Sequence, residues 1–251
     1  EAKAPLVWDD AVGNLCFEMN IGDETAVASA MEKAHHIQKL TVRNNRVFAS
    51  PAEPRSTIGA YNQGRYTLHT TCQKPHSVRQ LLASAVFHEA EENFRVICPD
   101  VGGGFGLKGT MYPEDSLVLW AARKVGRPVK WTSELQEGLI GDTHGRDQLD
   151  VGELALDIEG NILALKVNLT VNLGAYLSIS ALVPTVRCVM NLSNVYAIPA
   201  MQVAAKSLFT HTTPMGPYRG AGMPEAVYLV ERLLDAAARE TGQDTVELRR
   251  R

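Results

Sequence analysis

The 251-residue chain contains no CxxC pair, no HxxxH pair and no apolar run long enough to span a bilayer. Zinc ribbons, iron–sulfur cradles and histidine-ligated metal helices are therefore not expected within it. Its four cysteines are widely spaced and read as buried small apolar residues in a reducing, cytoplasmic setting. Aromatic residues make up 6%, too few for a base-stacking surface. The formal net charge of -3 gives no electrostatic footprint for nucleic acid. Low-complexity segments and internal repeats are missing, which leaves an ordinary globular chain with 45% hydrophobic and 21% charged residues. It opens Glu1-Ala2-Lys3-Ala4-Pro5 without Met and closes inside an amphipathic stretch, so a fragment or processed subunit is expected.

What is present is an alternation of helix and strand patterns. A helix is predicted over Thr25–His36, capped by Asp23, with Val27, Ala30, Met31 and Ala34 on one face. Strands follow over Ile37–Arg43 and Arg65–Thr70, then a helix over Ser77–Phe87 and a strand over Phe94–Cys98. A helix over Pro113–Val125 starts on proline, and Val129–Thr132 is a short strand. The clearest element is a hairpin from Gln148 to Leu173, turning at Glu159-Gly160-Asn161, with Leu165, Val167, Leu169 and Val171 on one covered face. Met201–Leu208 reads as a strand, and Pro224–Glu240 as a helix ended by Gly242. This order predicts an α+β fold of mixed β-sheets with packed helices. One domain over residues 1–251 is expected, with a βαβ-like lobe over 1–134 and a hairpin-plus-helix lobe over 135–251.

Two glycine clusters carry the chemistry. In Asp100-Val101-Gly102-Gly103-Gly104-Phe105-Gly106-Leu107-Lys108-Gly109, the missing side chains let backbone N–H groups approach an anionic or oxo ligand. Asp100 is expected to anchor this loop by local bonding. Gly104, Gly106 and Gly109 spell GxGxxG. The helix expected at Pro113 begins too late for a dinucleotide fingerprint, and Leu107 stands where a phosphate loop needs glycine. The second cluster, Pro214 to Glu225, sets Arg219 among small residues. From these residues alone two readings stand: a non-enzymatic α+β module binding an anionic ligand, or a nicotinamide-dependent dehydrogenase.

Several segments, taken in order, resemble a known family. They are Pro51-Ala52-Glu53-Pro54-Arg55, Gln73-Lys74-Pro75-His76, Asp100 to Gly106, Gly126-Arg127-Pro128-Val129-Lys130-Trp131, His144-Gly145-Arg146, Gly174-Ala175-Tyr176, Tyr218-Arg219-Gly220-Ala221-Gly222 with Pro224-Glu225-Ala226, and Glu231-Arg232-Leu233-Leu234-Asp235. Together they resemble the molybdenum-binding subunit of the xanthine dehydrogenase/aldehyde oxidase family, which includes bacterial carbon-monoxide dehydrogenase large chains. The resemblance runs from about Val7 to Arg251 and covers a first cofactor-binding half.

The resemblance implies a molybdenum–pterin cofactor, in bacteria commonly the cytosine dinucleotide form, with no direct protein ligand to the metal. It implies oxidation of an aldehyde, or hydroxylation of an N-heterocycle, with water-derived oxygen. Electrons would leave through FAD and 2Fe-2S partner subunits. Gln73 matches a glutamine whose amide contacts an oxo group. Gly103, Gly104, Phe105 and Gly106 match the loop against the metal and pterin. Tyr218, Arg219 and Gly220 match a loop holding the cofactor, and Arg187 sits where purine enzymes hold a substrate arginine. Glu53 is expected to brace the site and His144-Gly145-Arg146 to form a structural turn. The family's base glutamate has no match here, so the chain alone is expected to be inactive. Gly220 replaces the cysteine of copper-containing carbon-monoxide dehydrogenases, and Gly109 the glutamate of animal purine enzymes.

Overall fold

A computed structural model describes residues 4–251. Its elements are β1 (Leu15–Gly22), α1 (Glu24–Lys33), β2 (His36–Asn44), β3 (Ser56–Asn62), β4 (Arg65–Thr70), α2 (Pro75–Leu81), β5 (Phe94–Ile97), α3 (Pro113–Val125), β6 (Val129–Thr132), α4 (Leu135–Gly141), β7 (Gln148–Leu156), β8 (Ile162–Gly174), α5 (Val183–Met190), β9 (Ala200–Phe209), α6 (Met223–Thr241) and α7 (Thr245–Arg250). They form the expected α+β architecture, with strand order β1-β9-β8-β7-β2 in one sheet and β5-β4-β3-β6 in the other.

The smaller sheet pairs β4 with β5 in parallel, and α2 makes the crossover. Its core sets Tyr66 flat on Phe94 at 4.7 Å, with Leu68, Leu82, Val118 and Leu119 buried around them. Helix α3 crosses β3 at Gly59, where a Cβ would lie 2.6 Å from the Val118 carbonyl carbon, so only glycine permits the approach. The larger sheet is built on the antiparallel hairpin β7–β8, and β8 then pairs β9 in parallel through α5. Leu165, Val167, Leu169 and Val171 do share one buried face. Helix α6 covers the larger sheet with Ala226, Leu229, Val230, Leu233, Leu234, Ala237 and Ala238, the helical period read from the sequence. Gly242 ends it at φ 70°. Helix α1 covers the opposite face through Val27 against Ala155 and Ala164.

Four expectations change. The first helix stops at Lys33, because the His35 N–H pairs with the Leu156 carbonyl and His36 opens β2. The Ser77–Phe87 helix starts at Pro75 and loosens into a π-turn over Leu82–Phe87, ended by His88 at φ 53°. Strands β1 and β3 and helices α4, α5 and α7 went unread; β1 is an edge strand with few buried residues, so its alternation is weak. The expected lobe boundary near residue 134 falls just past the smaller sheet, yet β1 and β2 pair with β9 and β7 of the larger one. The smaller sheet is thus an insertion between two strands of the larger.

Candidate functional site

In both parallel pairs, the chain leaves the carboxyl ends of adjacent strands as irregular loops. Gln73 follows β4, and the first glycine loop follows β5. Gly174 ends β8 and Ala175 follows it, and the second glycine loop follows β9. Crevices at the carboxyl ends of parallel strands are common ligand sites, because neighbouring chains diverge there.

The two glycine loops meet. The Phe105 carbonyl accepts the Arg219 N–H at 2.9 Å, and the Arg219 guanidinium stands 5.8 Å from the Phe105 ring. Gly106 has φ 97°, and a Cβ there would fall 2.2 Å from the Pro217 carbonyl oxygen. Gln73 joins them: its Oε1 accepts the Gly106 N–H at 2.9 Å, and its own N–H donates to Lys108 at 2.8 Å. A Cβ on Gly104 would sit 2.6 Å from Gln73 Oε1. Gly103, Phe105 and Gly106 all have positive φ, as do Gly220, Ala221 and Gly222. The structure thus brings Gln73, the Gly103–Gly106 loop and Tyr218-Arg219-Gly220 together. Arg187 is exposed on half-buried α5 beside the second loop, with Nη2 3.4 Å from Met223 Sδ.

The donor inventory shows what this arrangement can do. A backbone N–H can only donate, so the atom facing Gly106 must be the Gln73 carbonyl oxygen. Its Nε2 is left over. Among the described residues, Gln73 Nε2, the N–H groups of Gly104, Phe105 and Gly220, and the Arg219 guanidinium have no protein acceptor. Phe105 is 40% exposed, and Gln73, Arg219 and Gly220 are also exposed. A set of donors without acceptors suits an oxygen-rich, anionic ligand.

Two ion pairs brace the loops. Glu53 Oε2 accepts the Gly102 N–H at 2.7 Å and Lys108 Nζ at 2.9 Å. Burial pushes the Glu53 carboxyl up, but the Lys108 ammonium and the Gly102 N–H outweigh it and hold it below its ordinary value. The bracing role expected of Glu53 is therefore present, and the bonding expected of Asp100 is not made among the described residues. Lys108 was expected only as part of a glycine loop; its side chain is fully buried. Arg146 pairs with Glu225 at 2.9 Å behind the second loop. His144-Gly145-Arg146 is structural as expected but is not a turn: Gly145 bridges Val47 and His144 bridges Met215, and a Cβ on Gly145 would lie 2.2 Å from Tyr218 Cβ. The clasp formed by Arg146 and Glu225 was missed. Its only sequence signal is Glu225 three residues after Gly222, a capping-box position.

A cleft of about 570 Å³ adjoins the site, lined by Thr110, Met111, Tyr112, Tyr176, Leu177 and Ile179 among others. No helix among the described residues is long and apolar enough to cross a membrane, and no cluster of three metal-ligating side chains occurs among them. The dinucleotide geometry is absent, since α3 begins at Pro113 rather than at the end of the glycine run.

Comparisons with known proteins agree with this arrangement. Residues 7–251 match the molybdopterin cofactor-binding domain. The gamma subunit of the 6-hydroxypseudooxynicotine dehydrogenase complex of Paenarthrobacter nicotinovorans is 34% identical, over 88% of this chain and 28% of the relative. The carbon monoxide dehydrogenase large chain of Hydrogenophaga pseudoflava is 31% identical, over 98% of this chain and 33% of the relative. The crystal structure of quinoline 2-oxidoreductase from Pseudomonas putida 86 is similar with a TM-score of 0.90 and 32% identity, over 95% of this chain and 30% of that one. The chain spans about a third or less of each of these relatives.

Proposed function

Since the chain belongs to the molybdopterin cofactor-binding domain family, we propose that it forms the cofactor cradle of a molybdenum hydroxylase. Such an enzyme oxidises an aldehyde or hydroxylates an N-heterocycle with oxygen taken from water. The observation that carries this reading is the set of donors left over where the two glycine loops meet. The residues fit an oxo-bearing, anionic pterin group: an amide N–H, three backbone N–H groups and a guanidinium are available.

When bound, the molybdenum–pterin group supplies oxygen transfer and accepts the electrons. The chain's own residues then have simpler tasks. Gln73 offers Nε2 to an oxo oxygen while its Oε1, held by Gly106, fixes the amide plane. Gly104, Phe105 and Gly220 offer backbone donors where a side chain would block approach. Arg219 offers charge beside the Phe105 ring. Arg187 borders the same loop, and a role for it toward substrate is part of the same proposal. The adjoining cleft, with Tyr112, Tyr176, Leu177 and Ile179 on its wall, suits an apolar aldehyde or ring. Within residues 4–251 no base is assigned. The cytosine dinucleotide form, FAD and 2Fe-2S partner subunits and a cytoplasmic setting belong to the same proposal. Relatives described as a gamma subunit and as large chains support the existence of partner subunits.

The test uses the full-length subunit with its partners. Elemental analysis is expected to find molybdenum, and dye reduction is expected with an aldehyde or an N-heterocycle. Gln73→Ala is expected to slow turnover by roughly 10²-fold, the scale of one lost preorganised donor, with an unchanged melting temperature. Protein without molybdenum and without turnover on either panel would refute the proposal.

A further inference from the structure

The second glycine loop does not hold itself. Gly220, Ala221 and Gly222 have φ values of 93°, 42° and 94°. Glycine adopts positive φ freely, but Ala221 carries a Cβ, and its left-handed conformation persists only where the surroundings enforce it. One ion pair supplies much of that enforcement. Glu225 Oε2 accepts the Gly222 N–H at 3.0 Å, and its Oε1 accepts Arg146 Nη1 at 2.9 Å. Arg146 Nη2 donates to the Arg219 carbonyl at 2.9 Å, and Nη1 reaches the Tyr218 carbonyl at 3.4 Å. The guanidinium also lies 4.8 Å from the centre of the Tyr218 ring. The two side chains are 14% and 1% exposed. Arg146 itself stands at φ 64°, just after the bridge residues His144 and Gly145.

We propose that Arg146 and Glu225 are positioning residues of the cofactor site: their buried pair fixes the Tyr218, Arg219 and Gly222 backbone, and so presents Arg219 and the Gly220 N–H to an anionic ligand. The inference rests on the molybdenum-cofactor reading for the ligand's identity, and on geometry alone for the clasp. The pair takes up two of the loop's carbonyls and one of its N–H groups. It leaves uncommitted the Gly220 N–H and the Arg219 head, which have no protein acceptor among the described residues. Arginine is needed at position 146, because one planar fork must meet a carboxylate and two carbonyls at once. A lysine ammonium is a single point and cannot span them.

The experiment uses the full-length subunit with its partners, as wild type, Arg146→Lys and Glu225→Gln. Glu225→Gln keeps a carbonyl for the Gly222 N–H and removes only the charge, so it protects the test should Arg146→Lys fold poorly. Three quantities are read: the near-ultraviolet circular dichroism of the folded protein, the rate of trypsin cleavage after Arg219, and the molybdenum content. The expected result is a folded spectrum, at least tenfold faster cleavage after Arg219, and at least a fivefold loss of molybdenum in both variants. Unchanged cleavage and unchanged molybdenum in both variants would overturn the clasp. Faster cleavage with full molybdenum would overturn its service to the cofactor. Wild-type protein without molybdenum would instead overturn the cofactor reading, while the cleavage rates still judged the clasp.

Discussion

Asp150 is fully buried on β7, and it shares the α6-facing side of the sheet with Gly152, Leu154 and Leu165. Its carboxyl accepts N–H groups from Gln148 at 2.9 and 3.0 Å and from Asn44 at 2.7 Å. Among the described residues it makes no ion pair, and Glu225 adds a like charge nearby. Burial therefore pushes it up from 3.8 to about 7, against the pull of Gln148 and Asn44. The native state then holds a proton that the unfolded chain releases between these two values. Stability must fall as pH rises through that window, with the full penalty present above about pH 7. At about 1.4 kcal/mol per tenfold, the penalty reaches roughly 4 kcal/mol as an upper figure. Asp150→Asn removes the titration and keeps the shape, and the Gln148 amide can turn its oxygen toward the new NH₂. Urea unfolding of wild type and variant at about pH 5 and about pH 8 measures the difference. The variant is expected to lose less stability between the two, by one to a few kcal/mol. Parallel pH dependence in the two proteins would refute the reasoning, because other groups titrate equally in both.

Two further substitutions probe packing and the site. Gly152→Val would drive a side chain into Leu233 Cδ1, already 2.7 Å from a Cβ position, and into Leu229; a loss of about 1–3 kcal/mol in a urea melt is expected. A wild-type midpoint in that variant would mean that α6 does not press on β7 there. Gly106→Ala would combine a strained φ of 97° with a 2.2 Å approach to the Pro217 carbonyl, forcing the two glycine loops apart. Elemental analysis of the full-length variant is expected to show molybdenum reduced severalfold, and retention at the wild-type level would contradict the cradle.

Periodicity and punctuation made much of this protein legible. The hairpin β7–β8, whose turn spans Asp157–Gly160, starting two residues before the expected Glu159-Gly160-Asn161, and helix α6, with its Gly242 stop, follow from alternation, helical spacing and glycine chemistry, which are local properties of the chain. The glycine loops were visible for the same reason: runs without side chains stand out wherever they lie. The edge strand β1 and the short helices α4, α5 and α7 were not, since their patterns are weak or brief. Tertiary structure alone decided three things. It returned β1 and β2 to the sheet of β7 and β9, with β3–β6 as an insertion. It carried Gln73, Phe105 and Arg219 to one place, because the parallel pairs β4–β5 and β8–β9 each send their following loops from the same edge. It also matched Arg146 with Glu225, and Lys108 with Glu53. Such pairings join residues far apart in sequence, and no local pattern encodes which buried charge will find which partner; that depends on where the sheets bring the chain back together.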